Sequence, residues 1–91
     1  MPLYLFNIDP DGIRHFEKHN ISIDEIDEIF TKKCCFTIKR NDKSYITYGK
    51  LKSGRYIQII YRITSPDTYF IITAYDIENK TIIHLLDEEF E

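Results

Sequence analysis

The sequence predicts a small α+β fold in which two N-terminal helices pack on an antiparallel sheet of four to five strands. Apolar residues follow helical spacing near the N-terminus, and from Cys35 onward they alternate with a period of two. The length of 91 residues suits one domain, so residues 1–91 are predicted to form a single unit. The aromatic fraction of 14%, all Tyr and Phe, also favours strands.

The first segment is predicted to be a strand followed by a helix. Residues 4–8 alternate weakly between apolar and polar side chains. Asp9 and Pro10 then have the residue types of a helix N-cap and a first helical position. Ile13 and Phe16 are expected to form the buried stripe of this first helix.

The second helix has the clearest local signal in the chain. Asn20 can adopt the left-handed conformation that ends the first helix. Ser22 and Glu25 then have the spacing of a capping box, in which each side chain bonds the backbone N–H of the other residue. The expected apolar face of the second helix comprises Ile26, Ile29 and Phe30.

The rest of the chain predicts strands joined by tight turns, followed by an ambiguous tail. Strands are expected at residues 36–39, 45–48, 56–63 and 69–75, and turns at residues 41–43, 52–54 and 65–67. In the tail, Ile82, Leu85 and Leu86 fit a helix face, whereas residues 81–83 favour a strand. Both interpretations stay open, with the helix preferred. The acidic residues 87–91 are expected to be solvated.

Composition excludes several kinds of site and location. No apolar run approaches the roughly 20 residues that cross a bilayer, and the first residues lack a signal-peptide pattern, so we expect a cytoplasmic protein and no membrane partner. Adjacent Cys34 and Cys35 rarely form a disulfide and have no zinc spacing. His15 and His19 lie four residues apart without an evident third ligand, so we interpret them as surface histidines and predict neither metal nor cofactor.

A basic middle segment lies between two acidic flanks. Residues 1–30 carry a charge of −5, residues 31–62 a charge of +8 and residues 63–91 a charge of −6, which together give the net −3. Cations interleaved with tyrosines on a sheet suit single-stranded RNA, because the charges follow phosphates and the rings stack on bases. The same pattern also occurs on an ordinary half-solvated sheet. The basic and aromatic candidates are Lys39, Arg40, Lys50, Lys52, Arg55, Arg62, Tyr75 and His84.

Several stretches carry a resemblance to a known family. They are residues 6–10, 18–25, 48–55, 60–61 and 71–74, and they span nearly the whole chain. In them the sequence resembles the RelE-type toxin superfamily, and its N-terminal half is similar to the BrnT branch. The resemblance implies the toxin of a type II toxin–antitoxin pair. Such a toxin would be a metal-independent endoribonuclease that cleaves mRNA at the ribosome and binds a cognate antitoxin protein.

The resemblance also implies roles for individual residues. Arg55 and Arg62 would stabilise the phosphate, and Tyr75 or His84 would transfer the proton. RNA would be held by the lysines and arginine at Lys39, Arg40, Lys50 and Lys52. The BrnT pattern has arginine after the alanine of the last strand and a basic tail, whereas this chain has Tyr75 and an acidic tail. An alternative therefore stays open: a non-catalytic relative that binds a partner protein or forms a homodimer through its sheet.

Overall fold

Five strands form one mixed sheet in the order β1-β5-β4-β3-β2. The computed structural model describes residues 3–31 and 35–89. The strands are β1 (Leu3–Phe6), β2 (Cys35–Lys39), β3 (Tyr45–Lys50), β4 (Tyr56–Ser65) and β5 (Thr68–Asp76). Strands β2 to β5 pair antiparallel in sequence order, whereas β1 pairs parallel with β5. The antiparallel prediction is therefore wrong for β1, because alternation identifies a strand but not its partner.

The helices are not both N-terminal, so that part of the predicted fold is wrong. Helix α1 (Ile23–Thr31) precedes strands β2 to β5, and helix α2 (Lys80–Glu89) follows them. The predicted first helix is only a short 3₁₀ helix, His15–His19. It does not begin at Pro10, because the chain turns there: the Gly12 N–H donates to the Asp9 carbonyl at 2.8 Å, and Gly12 has a φ of +83°. Ile13, expected to be buried, is 43% exposed.

Helix α1 begins as predicted. The Ser22 N–H donates to Oε1 of Glu25 at 2.9 Å, and the Glu25 N–H donates to Oγ of Ser22 at 3.2 Å. This reciprocal pair satisfies two N–H groups that a helix start leaves without partners. Ile26 and Ile29 are fully buried, and Phe30 packs against the same core. Lys32, Lys33 and Cys34, which follow α1, lie outside the described residues.

The two α-helices cover opposite faces of the sheet. We call the face under α1 the first face; its buried side chains include Thr47, Ile57, Ile59, Tyr61 and Ile71. The opposite face is the second face, and it carries Tyr48, Tyr56, Gln58, Ile60 and Arg62. Helix α2 contacts β3, and its Leu86 packs with Tyr48 and Ile77. The side chains of the second face near β3 are therefore shielded by α2.

The tail is a helix, as preferred from the sequence. Asn79 caps it, since its Oδ1 accepts the N–H groups of Thr81 at 2.9 Å and Ile82 at 3.3 Å. Asp87, expected to be solvated, instead accepts the Tyr56 hydroxyl at 2.6 Å. That contact attaches the end of α2 to β4. Phe90 and Glu91 lie outside the described residues.

Candidate active site

A pocket of about 610 Å³ opens where the 3₁₀ helix, strands β4 and β5 and the start of α2 meet. Its volume lies within the range of small-molecule and nucleotide sites. Its lining is polar and aromatic, and comprises His15, His19, Asn20, Gln58, Thr73, Tyr75, Asp76, Glu78 and Asn79. Most of these side chains can give or take a proton or a hydrogen bond, so the pocket suits acid–base chemistry on a polar substrate.

The 3₁₀ helix presents both histidines to this pocket. The His15 N–H donates to the Asn7 carbonyl at 3.0 Å, which fixes the start of the helix beside β5. Between the histidines, Phe16 is fully buried in the core and anchors the helix from the other side. Asn20 ends the helix in the left-handed conformation that the sequence predicts, with a φ of 60°. The two imidazole rings consequently lie 5.6 Å apart, measured between centroids.

A carboxylate orients the first of these imidazoles. Nδ1 of His15 lies 3.0 Å and 3.2 Å from the two carboxylate oxygens of Asp9. Lys18 binds the same carboxylate at 2.8 Å. Hydrogen bonds from Lys18 and His15 hold the pKa of the Asp9 carboxyl below its ordinary value, so Asp9 stays ionised. With Nδ1 held in this way, Nε2 is the nitrogen of His15 that can exchange a proton with a ligand.

The second imidazole stands beside a tyrosine and an unpartnered hydroxyl. The ring of His19 lies 5.8 Å from the ring of Tyr75, between centroids. Tyr75 pairs with Gln58 across β5 and β4. Nearby, Oγ1 of Thr73 is buried and has no hydrogen-bond partner among the described residues. A buried hydroxyl without a protein partner usually bonds to ordered water or to a bound molecule.

Arg55 binds to residues that form the wall of the pocket, and its guanidinium does not point into the pocket. Its guanidinium donates to the carbonyls of His19 at 3.0 Å and Asn20 at 2.6 Å. It also donates through Nε and Nη2 to the two carboxylate oxygens of Asp76, and reaches Glu25 at 3.5 Å. Hydrogen bonding to Asp76 raises the pKa of Arg55. Arg55 therefore fixes the end of the 3₁₀ helix and neutralises one acid of the pocket wall.

The other candidates from the sequence do not gather at one place. Tyr75 lines the pocket, whereas His84 lies on α2 and Arg62 lies farther along β4. Lys50 contacts Asp87, and the backbone N–H of Lys52 donates to Oε2 of Glu28 at 2.7 Å.

Two more of the predicted RNA-binding residues lie near the turn between β2 and β3. Lys39 pairs with Tyr45, which packs against the core of the first face, and Arg40 follows it in the chain. Four of the predicted cations are thus divided between two ends of the sheet: Lys50 and Lys52 at one end, Lys39 and Arg40 at the other.

The sequence predicts that His15 and His19 are surface histidines without a catalytic role. Their local signals were present, since His15 and His19 are spaced to meet and Asp9 lies six residues before His15. The opposite wall of the pocket comes from residues 58–79, which local patterns cannot place next to a 3₁₀ helix. Only the pairing of the strands and the packing of the 3₁₀ helix on β5 reveal the site.

Comparisons with protein-family models, curated proteins and solved structures found no match for the chain. In the part of the chain that the structure describes, no group of three or more His, Cys, Asp or Glu side chains could hold a metal ion. Within the same residues, no helix has the length and apolar character needed to cross a membrane.

Proposed function

We propose that the protein is a metal-independent endoribonuclease that serves as the toxin of a type II toxin–antitoxin pair. The observation that carries this proposal is the pair of adjacent imidazoles in the pocket, one of them oriented by a carboxylate. Histidine is the side chain whose ordinary pKa, ~6.5, suits both proton acceptance and proton donation near neutral pH. Cleavage of RNA by its own 2′-hydroxyl can use one such group as the base and another as the acid.

The proposed reaction moves two protons. His15 takes the proton of the ribose 2′-hydroxyl, and the 2′-oxygen attacks the adjacent phosphorus. As the bond from phosphorus to the 5′-oxygen breaks, His19 gives its proton to that leaving oxygen. The products are a 2′,3′-cyclic phosphate and a free 5′-hydroxyl, and each imidazole must lie about 2.6–3.2 Å from its oxygen.

The carboxylate determines which histidine acts as the base. Asp9 is negative and bound to Nδ1 of His15, so it stabilises the imidazolium that forms when His15 accepts a proton. His19 has its ring against Tyr75, and its backbone carbonyl is held by Arg55. The hydroxyl of Tyr75 can donate to a phosphate oxygen as negative charge develops on it.

The acids of the pocket wall do not prevent a phosphate from binding. Arg55 compensates Asp76, and Lys18 compensates Asp9. The two ion pairs leave the charge of a protonated imidazole available to the substrate. Glu78, the other acid of the lining, is exposed, so solvent and salt screen its charge. An RNA phosphate then meets neutral donors and one transferable positive charge.

Single substitutions test the assignment. His15→Gln and His19→Gln are compared with His84→Gln, a matched control whose histidine lies on α2 away from the pocket. We expect each pocket variant to slow cleavage of labelled single-stranded RNA by about 10²–10⁴-fold, the usual contribution of a general acid or base. The control should cleave normally, and the products should end in a cyclic phosphate. Full activity in both pocket variants, with unchanged melting temperatures, would contradict the proposal.

A second candidate function is binding of a partner protein, the cognate antitoxin, through an open sheet edge. The Arg40 N–H donates to the Ser44 carbonyl at 2.8 Å, so alternation turns the peptide groups of Thr37 and Lys39 away from β3. Beside them Ile38 is 48% exposed. Co-purification with the product of a neighbouring gene, lost in Ile38→Asp, would support this function. Binding unaffected by Ile38→Asp would contradict this use of the edge.

A further inference from the structure

Arg62 lies on the same face of the sheet as the pocket. Strand β4 pairs regularly with β3, so Gln58, Ile60 and Arg62 alternate onto the second face. The irregularity between β4 and β5 adds a residue at Ile72 in β5 and leaves the alternation of β4 intact. Four residues of strand separate Gln58, at the pocket, from Arg62, which is about 13 Å.

Helix α2 leaves this part of the second face uncovered. It packs against β3, where it contacts Tyr48, whereas the end of β4 from Arg62 to Ser65 is exposed. Beside Arg62, Phe70 of β5 is half-buried and pairs in turn with Leu5 of β1, which is 46% exposed. Between the pocket and Arg62 this face carries Ile60, which is 9% exposed, and Arg62 itself has an aromatic ring and an aliphatic side chain next to it.

The guanidinium of Arg62 is available to a ligand. It makes no hydrogen bond or ion pair to another described residue. Asp42 is close enough to be affected by its charge. Hydrogen bonds from Ser44 lower the pKa of Asp42, and the charges of Arg40 and Arg62 lower it further by a smaller amount. Arg55, by contrast, donates hydrogen bonds to other protein groups through Nε, Nη1 and Nη2. The two arginines that the sequence treats alike therefore have different environments.

We propose that Arg62 binds a backbone phosphate of single-stranded RNA that extends along β4 from the pocket. This inference rests on the proposed function and names its substrate more closely. Stacked nucleotides rise 3.4 Å each and unstacked ones extend further, so the phosphate is roughly two to four nucleotides from the cleaved bond. Phe70 and Leu5 offer an unpaired base an apolar surface, which a duplex cannot use. Arg62 is then an RNA-binding residue outside the acid–base group.

The test compares two substrates and two variants. A dinucleotide holds only the cleaved phosphate, whereas a ten-nucleotide RNA also reaches Arg62. Arg62→Gln should lower kcat/KM for the longer RNA about tenfold and leave the dinucleotide unchanged, as expected for the loss of one charge-assisted contact. The salt dependence for the longer RNA should weaken by a slope of about 0.7. Lys43→Gln is the matched control, because Lys43 is an exposed cation in the turn between β2 and β3, at the same end of the sheet as Arg62.

Each outcome decides the matter. Equal losses on both substrates, no loss on either, or an equal loss in Lys43→Gln would overturn the proposed RNA path while leaving the nuclease in place. If the wild-type protein cleaves neither substrate, the proposed function fails, and the path is tested by binding of the same ten-nucleotide RNA. Weaker binding by Arg62→Gln alone would still support the path, and unchanged binding would overturn it.

Discussion

Replacing Arg55 by methionine separates a structural role from a role in phosphate binding. Methionine keeps much of the length of the side chain and removes the guanidinium. The two backbone carbonyls of His19 and Asn20 would lose their bonds, at about 0.5–1.5 kcal/mol each. The pairs with Asp76 and Glu25 are partly exposed and add about 0.2–1 kcal/mol each. Together the free energy of unfolding should fall by about 2–4 kcal/mol.

Thermal and urea unfolding measure this loss. For a domain of this size, 2 kcal/mol corresponds to a fall in Tm of about 8–16 °C. Arg55→Lys should recover only part of it, because an ammonium cannot reproduce the planar arrangement of donors. Cleavage of the dinucleotide, measured well below the Tm, reports on the site itself. An unchanged Tm combined with a lower kcat would refute the structural reasoning and restore Arg55 as a phosphate ligand.

Three further predictions concern stability. Ile26→Ala should cost about 2–4 kcal/mol in urea unfolding, because Ile26 is fully buried; the control Ile63→Ala, at a 43% exposed position, should cost under about 1 kcal/mol, and equal losses would contradict the packing of α1. Gly49→Ala should cost about 1–3 kcal/mol, since the new Cβ would lie 2.5 Å from Cδ1 of the buried Ile29; an unchanged urea midpoint would contradict that close approach. Asp9 has a lower pKa folded than unfolded, so its contribution is present above its ordinary pKa and lost as the pH falls below it. Asp9→Asn should therefore flatten the decline of stability as the pH falls below the ordinary pKa of an aspartate, and a parallel decline would contradict the pairing.

Local features of the fold could be predicted from the sequence because their causes are local. The capping box of Ser22 and Glu25 and the left-handed Asn20 each depend on residues within a few positions. The pairing of β1 with β5 joins Leu3 to Thr68 across most of the chain, and no periodicity encodes that choice. The first helix is shorter than the sequence predicts for a related reason. Asp9 and Pro10 fit the start of a helix, but they also fit the turn that Gly12 closes.

The same distinction explains why only part of the site can be predicted from the sequence. Arginines and lysines are identified directly from the sequence, but their roles depend on the groups that surround them in the fold. Arg55 is held by four residues from three other parts of the chain, and Arg62 bonds to none of the described residues. The histidines are predicted only to be surface residues, and they gain a chemical role because strand β5 brings Tyr75 and Thr73 to them.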